Sequence, residues 1–288
     1  AKGGLNLVVV YLSGRIIDEK DAKISVFDSG FTRGNGLFET MRAYHGTIFA
    51  LDQHLDRLYG SAKTLGYPTM PGKTILAEAC KNTITANNLS DARLRLTVTN
   101  GLPGAQTPTI LITAVHYSGY DENLYQTGMS AILLNGFRTS GNITTTLKST
   151  SYLSSVIAKK KAQEAGCHEA VLINEKGSIT EGSYTNIFAV TNKAILTPPV
   201  EDGLLPGITR DIVINIAVSH GYTVFQQTIQ AGDIFDMDEL FLTNSLMEVM
   251  PLTKLDGEKI GGGRPGETTQ QLLLLYGEHM LAMLRGDR

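Results

Sequence analysis

Cysteine is scarce in this 288-residue chain. Cys80 and Cys167 stand far apart and in no metal-like spacing. That argues against a disulfide framework and for a reducing compartment. Excess positive charge is also missing: 25 Lys and Arg face 28 Asp and Glu, a net charge of −3. No general basic field draws such a chain to nucleic acid or to an anionic membrane. No apolar stretch approaches the roughly 20 residues of a bilayer span. Ala1 to Asn6 are followed only by the short apolar run Leu7 to Leu12, with no small-residue cleavage site, so no secretory signal is expected. The expectation is a cytoplasmic protein. The six His and two Cys form no zinc spacing, and no metal site is expected. A Gly-x-Ser-x-Gly elbow and a P-loop are both absent. Gly261 to Gly266 is glycine-rich but lacks a preceding apolar strand, so it reads as a surface loop.

What is present is ordinary in bulk. Hydrophobic residues make up 42% and charged residues 18%, values typical of a globular protein with ample core. Leu7 to Leu12 is β-branched and turns at Ser13-Gly14, as one arm of a hairpin. Thr47 to Ala50 reads as a short strand. From Asp52 the period changes: Leu55, Leu58, Ala62 and Leu65 mark an amphipathic helix stopped by Gly66. Thr74 to Leu89 reads as a second helix, and Arg93 to Thr99 and Pro108 to Val115 as strands. The polar stretch His116 to Gly128 reads as a linker. The expected division is therefore 1–117, a linker 118–130, and 131–288. In the second part, helices are expected at 153–165, 209–220 and 268–284. Strands are expected at 131–134, 170–174, 186–190, 222–226 and 239–243. Strands and helices alternate without a strict βαβ period, so two mixed α/β domains fit better than one doubly wound sheet.

Lys148 lies 33 residues ahead of Glu181 (181 − 148 = 33). One helix-like stretch and one apolar strand separate them. That layout can bring an amine and a carboxylate to opposite ends of a small aromatic cofactor. Pyridoxal phosphate needs such a pair: a lysine that holds its aldehyde as a Schiff base, and a charged partner for its ring nitrogen. Lys159, Lys160 and Lys161 sit on a helix and read as its wet face. Leu205-Pro206-Gly207-Ile208-Thr209-Arg210 is either an ordinary capped helix or an anion cradle of free N–H groups and a hydroxyl. Thr243 to Pro251 is either a strand-end turn or a loop whose amides face a ligand. Arg57 lies beside the apolar face of its helix, placed for a salt bridge or for an anion.

Taken together, these motifs resemble the fold-type IV pyridoxal-phosphate enzymes, the class IV aminotransferases. They run in the family's order: Arg33 to Thr40, His54-Leu55-Asp56-Arg57-Leu58, Lys148, Glu181-Gly182-Ser183 with Asn186, Gly207-Ile208-Thr209, and Asn244 to Pro251. The resemblance covers about Val10 to Gly257. It implies a two-domain mixed α/β fold like that of D-amino acid aminotransferase, and pyridoxal 5'-phosphate as cofactor. It implies Lys148 as Schiff-base lysine and proton carrier, and Glu181 as partner of the ring nitrogen. Arg57, the Ile208 and Thr209 amides and Ser245 are then expected at the phosphate, with Asn186 and Asn244 also at the cofactor. Tyr152 is expected at the ring hydroxyl and Phe38 at the substrate pocket. Members are usually homodimers.

Substrate choice rests on fewer residues. Arg95 falls where branched-chain enzymes carry a substrate-side arginine, while Arg93 stands where they usually have tyrosine. D-amino acid aminotransferases and lyases often place arginine before the glycine, where this chain has Asn100. Asn244 to Pro251 is closer to the lyase version, although Leu246 and Met247 could still offer amides to an α-carboxylate. The expectation is a transaminase passing the amino group between an apolar, branched-chain L-amino acid and 2-oxoglutarate. Aminodeoxychorismate lyase is the alternative, and a D-amino acid or (R)-amine transaminase comes third.

Overall fold

The computed structural model describes residues 8–67 and 69–286. The Leu7 end of the expected first strand and the Ala1 to Asn6 start lie outside them. Two compact units emerge. The first runs to Ser118 and also holds Lys148–Ser151; the second holds Gly119–Leu147 and resumes at Tyr152.

In the first unit, strands β1 (Val9–Leu12) and β2 (Arg15–Asp18) form the expected hairpin. A short helix α1 (Ser29–Arg33) precedes β3 (Gly36–Tyr44), β4 (Thr47–Ile48), helices α2 (Leu51–Thr64) and α3 (Lys73–Ala86), β5 (Ala92–Thr99) and β6 (Thr109–His116). The sheet is antiparallel, in the order β2-β1-β6-β5-β3-β4. Side chains alternate across a strand, so its two faces differ. Leu37, Met41 and Ala43 share one face with Leu94, Leu96 and Val98, all buried. Against that side lie Leu55, Leu58 and Ala62 of α2 and Leu76, Ala79 and Ile84 of α3. Phe38, Thr40 and Arg42 stand on the other face, opposite Thr97, Arg95 and Arg93.

Lys148–Ser151 runs along the start of β3. Phe38 N donates to Lys148 O at 2.8 Å, and Thr150 N donates to Gly36 O at 2.8 Å. This explains two glycines of the Arg33 to Thr40 motif. A Cβ on Gly34 would lie 2.5 Å from Ser151 Oγ, and one on Gly36 would lie 2.6 Å from Thr150 Oγ1. Gly34 also needs the left-handed conformation, at φ 65.

The second unit begins with helix α4 (Glu122–Thr127), in the stretch expected to be a linker. Asp121 caps it by accepting from Asn123 N, and Tyr120, Leu124 and Tyr125 pack on the unit's core. Six residues are too few to show a helical period. Next come β7 (Met129–Asn135), α5 (Ile143–Thr146), α6 (Leu153–Glu164), β8 (Glu169–Ile173), β9 (Ile179–Gly182), β10 (Asn186–Thr191) and β11 (Ala194–Thr197). They are followed by α7 (Ile208–Ser219), β12 (Val224–Gln226), β13 (Glu239–Asn244), β14 (Glu248–Leu255), β15 (Glu258–Lys259) and α8 (Glu267–Arg285). Lys148 thus follows the short helix α5.

The mixed sheet runs β12-β11-β10-β13-β14-β7-β8-β9, with β15 beside β14. Strands β8 and β9 are buried at every position, as strands covered on both faces must be. Helix α6 packs on β7 and β8, while α7 and α8 lie against β13 and β14. Phe188 and Phe241, opposite each other in register, stack at 4.7 Å. No described helix is long and apolar enough to cross a membrane.

Candidate functional site

The first unit carries Lys148, Phe38, Arg95, Arg93 and Arg57. Lys148 Nζ lies 4.8 Å from the centre of the Phe38 ring, and the Arg95 guanidinium lies over the same ring at 3.7 Å. One apolar ring thus meets both an amine and a guanidinium. Arg93 is exposed and stands opposite Arg42 in the β3–β5 register.

Arg57 works on the sheet's buried face. Glu39 is a carboxylate among Leu37, Met41 and Ala43, and it meets two donors from α2. Arg57 Nε donates to Glu39 Oε1 at 2.8 Å, and Nη2 donates to Oε2 at 2.5 Å. His54 Nδ1 lies 2.7 Å from Oε2. A carboxylate only accepts, so the imidazole hydrogen must sit on Nδ1. Burial, the largest influence, pushes the Glu39 carboxyl up. The Arg57 charge and the hydrogen bonds from His54 and Arg57 outweigh it and hold the pKa at about 2. For His54, burial lowers the pKa and outweighs the raising effect of Glu39.

This pair predicts an acid dependence. The folded Glu39 pKa lies below its ordinary 4.5, so the ionised group stabilises the fold above that pH. The contribution is lost as pH falls from 4.5 towards 2. Glu39→Gln should lower stability near neutral pH by about 3 kcal/mol and flatten the fall on the acid side. Urea unfolding of both proteins across that pH range checks this.

The second unit carries Glu181, Tyr152, Asn186, Ile208, Thr209, Asn244, Ser245, Leu246 and Met247. Glu181 is buried on β9 with both oxygens engaged. Oε1 accepts from Arg138 Nε at 2.8 Å, and Oε2 accepts from Leu205 N at 3.1 Å. Arg138 is braced in turn by Ser155 Oγ and Phe137 O, each at 3.0 Å. Asn186 Nδ2 donates to Leu205 O at 2.9 Å. Leu205 is therefore held from both sides, just ahead of α7. Gly207 caps that helix with no side-chain bond, and a Cβ there would collide with Asn186 Oδ1. The helix starts at Ile208, one residue before the expected Thr209, and its first N–H groups suit an anion. Tyr152 Oη donates to Ser183 O at 3.2 Å, and its ring stacks on Tyr184 at 5.3 Å. Burial first, then the Glu181 charge, raises the Tyr152 pKa, so the phenol keeps its proton.

The stretch after β13 takes the strand-end turn of the two expected forms. Leu246 N and Met247 N donate to Asn244 Oδ1, at 2.8 and 2.9 Å, while Asn244 Nδ2 donates to Tyr184 O at 3.2 Å. An amide has one hydrogen. A substrate carboxylate would have to displace Asn244 to use these two, because the short asparagine side chain closes the turn on itself.

Sequence reasoning passed over Arg138, Ser155, Glu39 and His54 as site residues. Glu39 did carry a signal, as a lone acid alternating among apolar residues. Arg138 carried none, since its partner is 43 residues away. Among the described residues, no group of three or more His, Cys, Asp or Glu is placed to hold a metal ion.

The family model for amino-transferase class IV matches residues 36–255. A Methanocaldococcus jannaschii protein named "Putative branched-chain-amino-acid aminotransferase" is 40% identical over 271 residues, covering 91% of this chain and 93% of its own. Aminodeoxychorismate lyase of Bacillus subtilis is 32% identical over 285 residues, covering 96% of each chain. Among solved structures, the T.th. branched-chain amino acid aminotransferase with pyridoxamine 5'-phosphate superposes with a TM-score of 0.89. It is 29% identical and covers 98% of this chain and 95% of its own.

Proposed function

We infer the reaction from one premise: the chain belongs to the class IV aminotransferase family. It is therefore a pyridoxal-phosphate enzyme. Bound pyridoxal phosphate supplies an aldehyde that bonds an amine and an electron-withdrawing ring that acidifies the adjacent carbon. The residues fit this group: an amine at Lys148, a buried carboxylate at Glu181, a guanidinium at Arg57 and the open start of α7.

In this reading Lys148 holds the cofactor's aldehyde and, once released, carries a proton to and from the substrate carbon. Glu181 faces the ring nitrogen as an acceptor and keeps it protonated. Arg57, the Ile208 and Thr209 amides and Ser245 grip the phosphate. Tyr152 hydrogen-bonds the ring hydroxyl, turning its one O–H away from Ser183 O to do so. Asn186 and Asn244 hold the turns on which these groups sit. Leu246 and Met247 enter as part of the turn that Asn244 closes, not as amide donors.

The substrates are an apolar, branched-chain L-amino acid and 2-oxoglutarate. The observation that carries this choice is the Phe38 ring, which lies against both Lys148 Nζ and the Arg95 guanidinium. An apolar side chain can pack on the ring in one half-reaction, and the distal carboxylate of 2-oxoglutarate can meet Arg95 in the other. Arg93, exposed on the same sheet face, adds positive charge there. The reading includes a cytoplasmic homodimer, supported by the exposed Val26, Phe27 and Phe31 on the first unit. Aminodeoxychorismate lyase is the second reading, favoured by the Asn244 to Pro251 sequence and the lyase relative.

Single-turnover spectra separate these readings. The yellow absorbance of the loaded protein should bleach with L-valine and return with 2-oxoglutarate. Bleaching with D-alanine but not L-valine would rule out the preferred donor. Pyruvate release from aminodeoxychorismate without an acceptor would establish the lyase.

A further inference from the structure

We propose that Glu39 and His54 are positioning residues for Arg57, aiming its guanidinium at the cofactor's phosphate before the cofactor arrives. The inference rests on the reading that Arg57 grips that phosphate.

The geometry is contained in the first unit. Residues 54 and 57 lie three apart on α2 and so share a face, which meets β3 at Glu39. Glu39 takes Arg57 at two points, Nε and Nη2, through its two oxygens. Two parallel bonds to a planar fork fix the plane of the guanidinium, whereas one bond would leave it to rotate. His54 holds Oε2 from a second direction, so the carboxylate cannot swing with the arginine. Glu39 and His54 are both almost fully buried, at 1% and 2% exposure. Both are less exposed than the Arg57 side chain, at 11%, to which Glu39 is bonded directly and His54 through Glu39.

Net stability over apolar packing is a weak reason for the arrangement, although breaking the pair once built is costly. Burying a charge pair costs desolvation on both sides and often brings no net gain over apolar packing. Orienting a long flexible side chain beforehand does bring a gain, because less side-chain freedom is lost when the anion binds. The effect should therefore show in phosphate recognition specifically.

The test compares pyridoxal phosphate with pyridoxal, which has the aldehyde and ring but no phosphate. Both are titrated into the full chain stripped of cofactor, and binding is followed by absorbance and intrinsic fluorescence. Arg57→Ala serves as reference and should lose most of the preference for the phosphorylated form. Glu39→Gln should weaken pyridoxal phosphate by roughly 10-fold to 100-fold, by analogy with the loss of a group that orients a metal ligand, while leaving pyridoxal within about twofold. His54→Asn keeps a donor near the Nδ1 position and should bind as the parent does. His54→Leu should shift the preference in the same direction as Glu39→Gln, and it carries the test should Glu39→Gln fail to fold.

If Arg57→Ala loses the preference while Glu39→Gln and His54→Leu keep it, the two residues are merely structural and the proposal is overturned. It is also overturned if both variants weaken the two ligands alike. If Arg57→Ala keeps the preference, the assignment of Arg57 to the phosphate fails, and the proposal with it.

Discussion

Replacing Lys148 with alanine is expected to abolish transamination, lowering kcat by about 1,000-fold or more, while leaving the fold intact. Both halves of this expectation come from one local arrangement. The segment is held on β3 by main-chain bonds, Phe38 N to Lys148 O and Thr150 N to Gly36 O, each at 2.8 Å. Alanine preserves both, so the thermal midpoint should move little. What it removes is the amine beside Phe38. In the proposed reading that amine has two duties, bonding the cofactor and moving the proton, and no neighbouring group replaces it within the described first-unit cluster. The variant should bind pyridoxal phosphate without the yellow absorbance of the lysine-bound form. Added methylamine should restore part of the rate if only the amine is missing. Steady-state rates with and without methylamine, beside the absorption spectrum, check the prediction.

The second large effect is expected at Glu181. Glu181→Gln should lower kcat by about 100-fold to 10,000-fold, with a smaller change in cofactor affinity. The native carboxylate accepts from Arg138 Nε and from Leu205 N. An amide has one acceptor end and one donor end, so glutamine would set a donor against a donor at one of these contacts. It also brings no negative charge to keep a ring nitrogen protonated. Glu181→Asp retains the charge but is one methylene shorter, and it should recover part of the rate. A Glu181→Gln enzyme with near-normal kcat would contradict the assignment. Steady-state kcat and cofactor titration on the three proteins separate chemistry from binding.

Both residues stood out as candidates in the sequence, but their surroundings did not. Helix α2 announced itself through apolar spacing and a glycine stop, because a helix buries one stripe and the stripe repeats every turn. Strand β5 announced itself through alternation. Contacts between distant segments leave no such repeat. Thr150 donates to Gly34 O across 116 residues of sequence, and nothing local to Lys148 says that its segment pairs with β3. Hence Lys148–Ser151 falls with the first unit although its neighbours in sequence belong to the second. The same limit hid Arg138 behind Glu181. Asn244 shows a different one. Its backbone setting was readable as a turn, yet the choice of Oδ1 as partner for the Leu246 and Met247 amides depended on rotamer and turn geometry. Glu39 is the intermediate case: its alternation with Leu37 and Met41 could have put it on a buried face, where a carboxylate needs a cationic partner, but the strand itself was not read.

The central claim is that Lys148 bonds the cofactor. Borohydride reduction of the pyridoxal-phosphate-loaded protein, followed by digestion and peptide mass spectrometry, tests it most directly. The account predicts a phosphopyridoxyl mass fixed to Lys148. A mass on Lys159, Lys160 or another lysine, or no fixed mass at all, would contradict it.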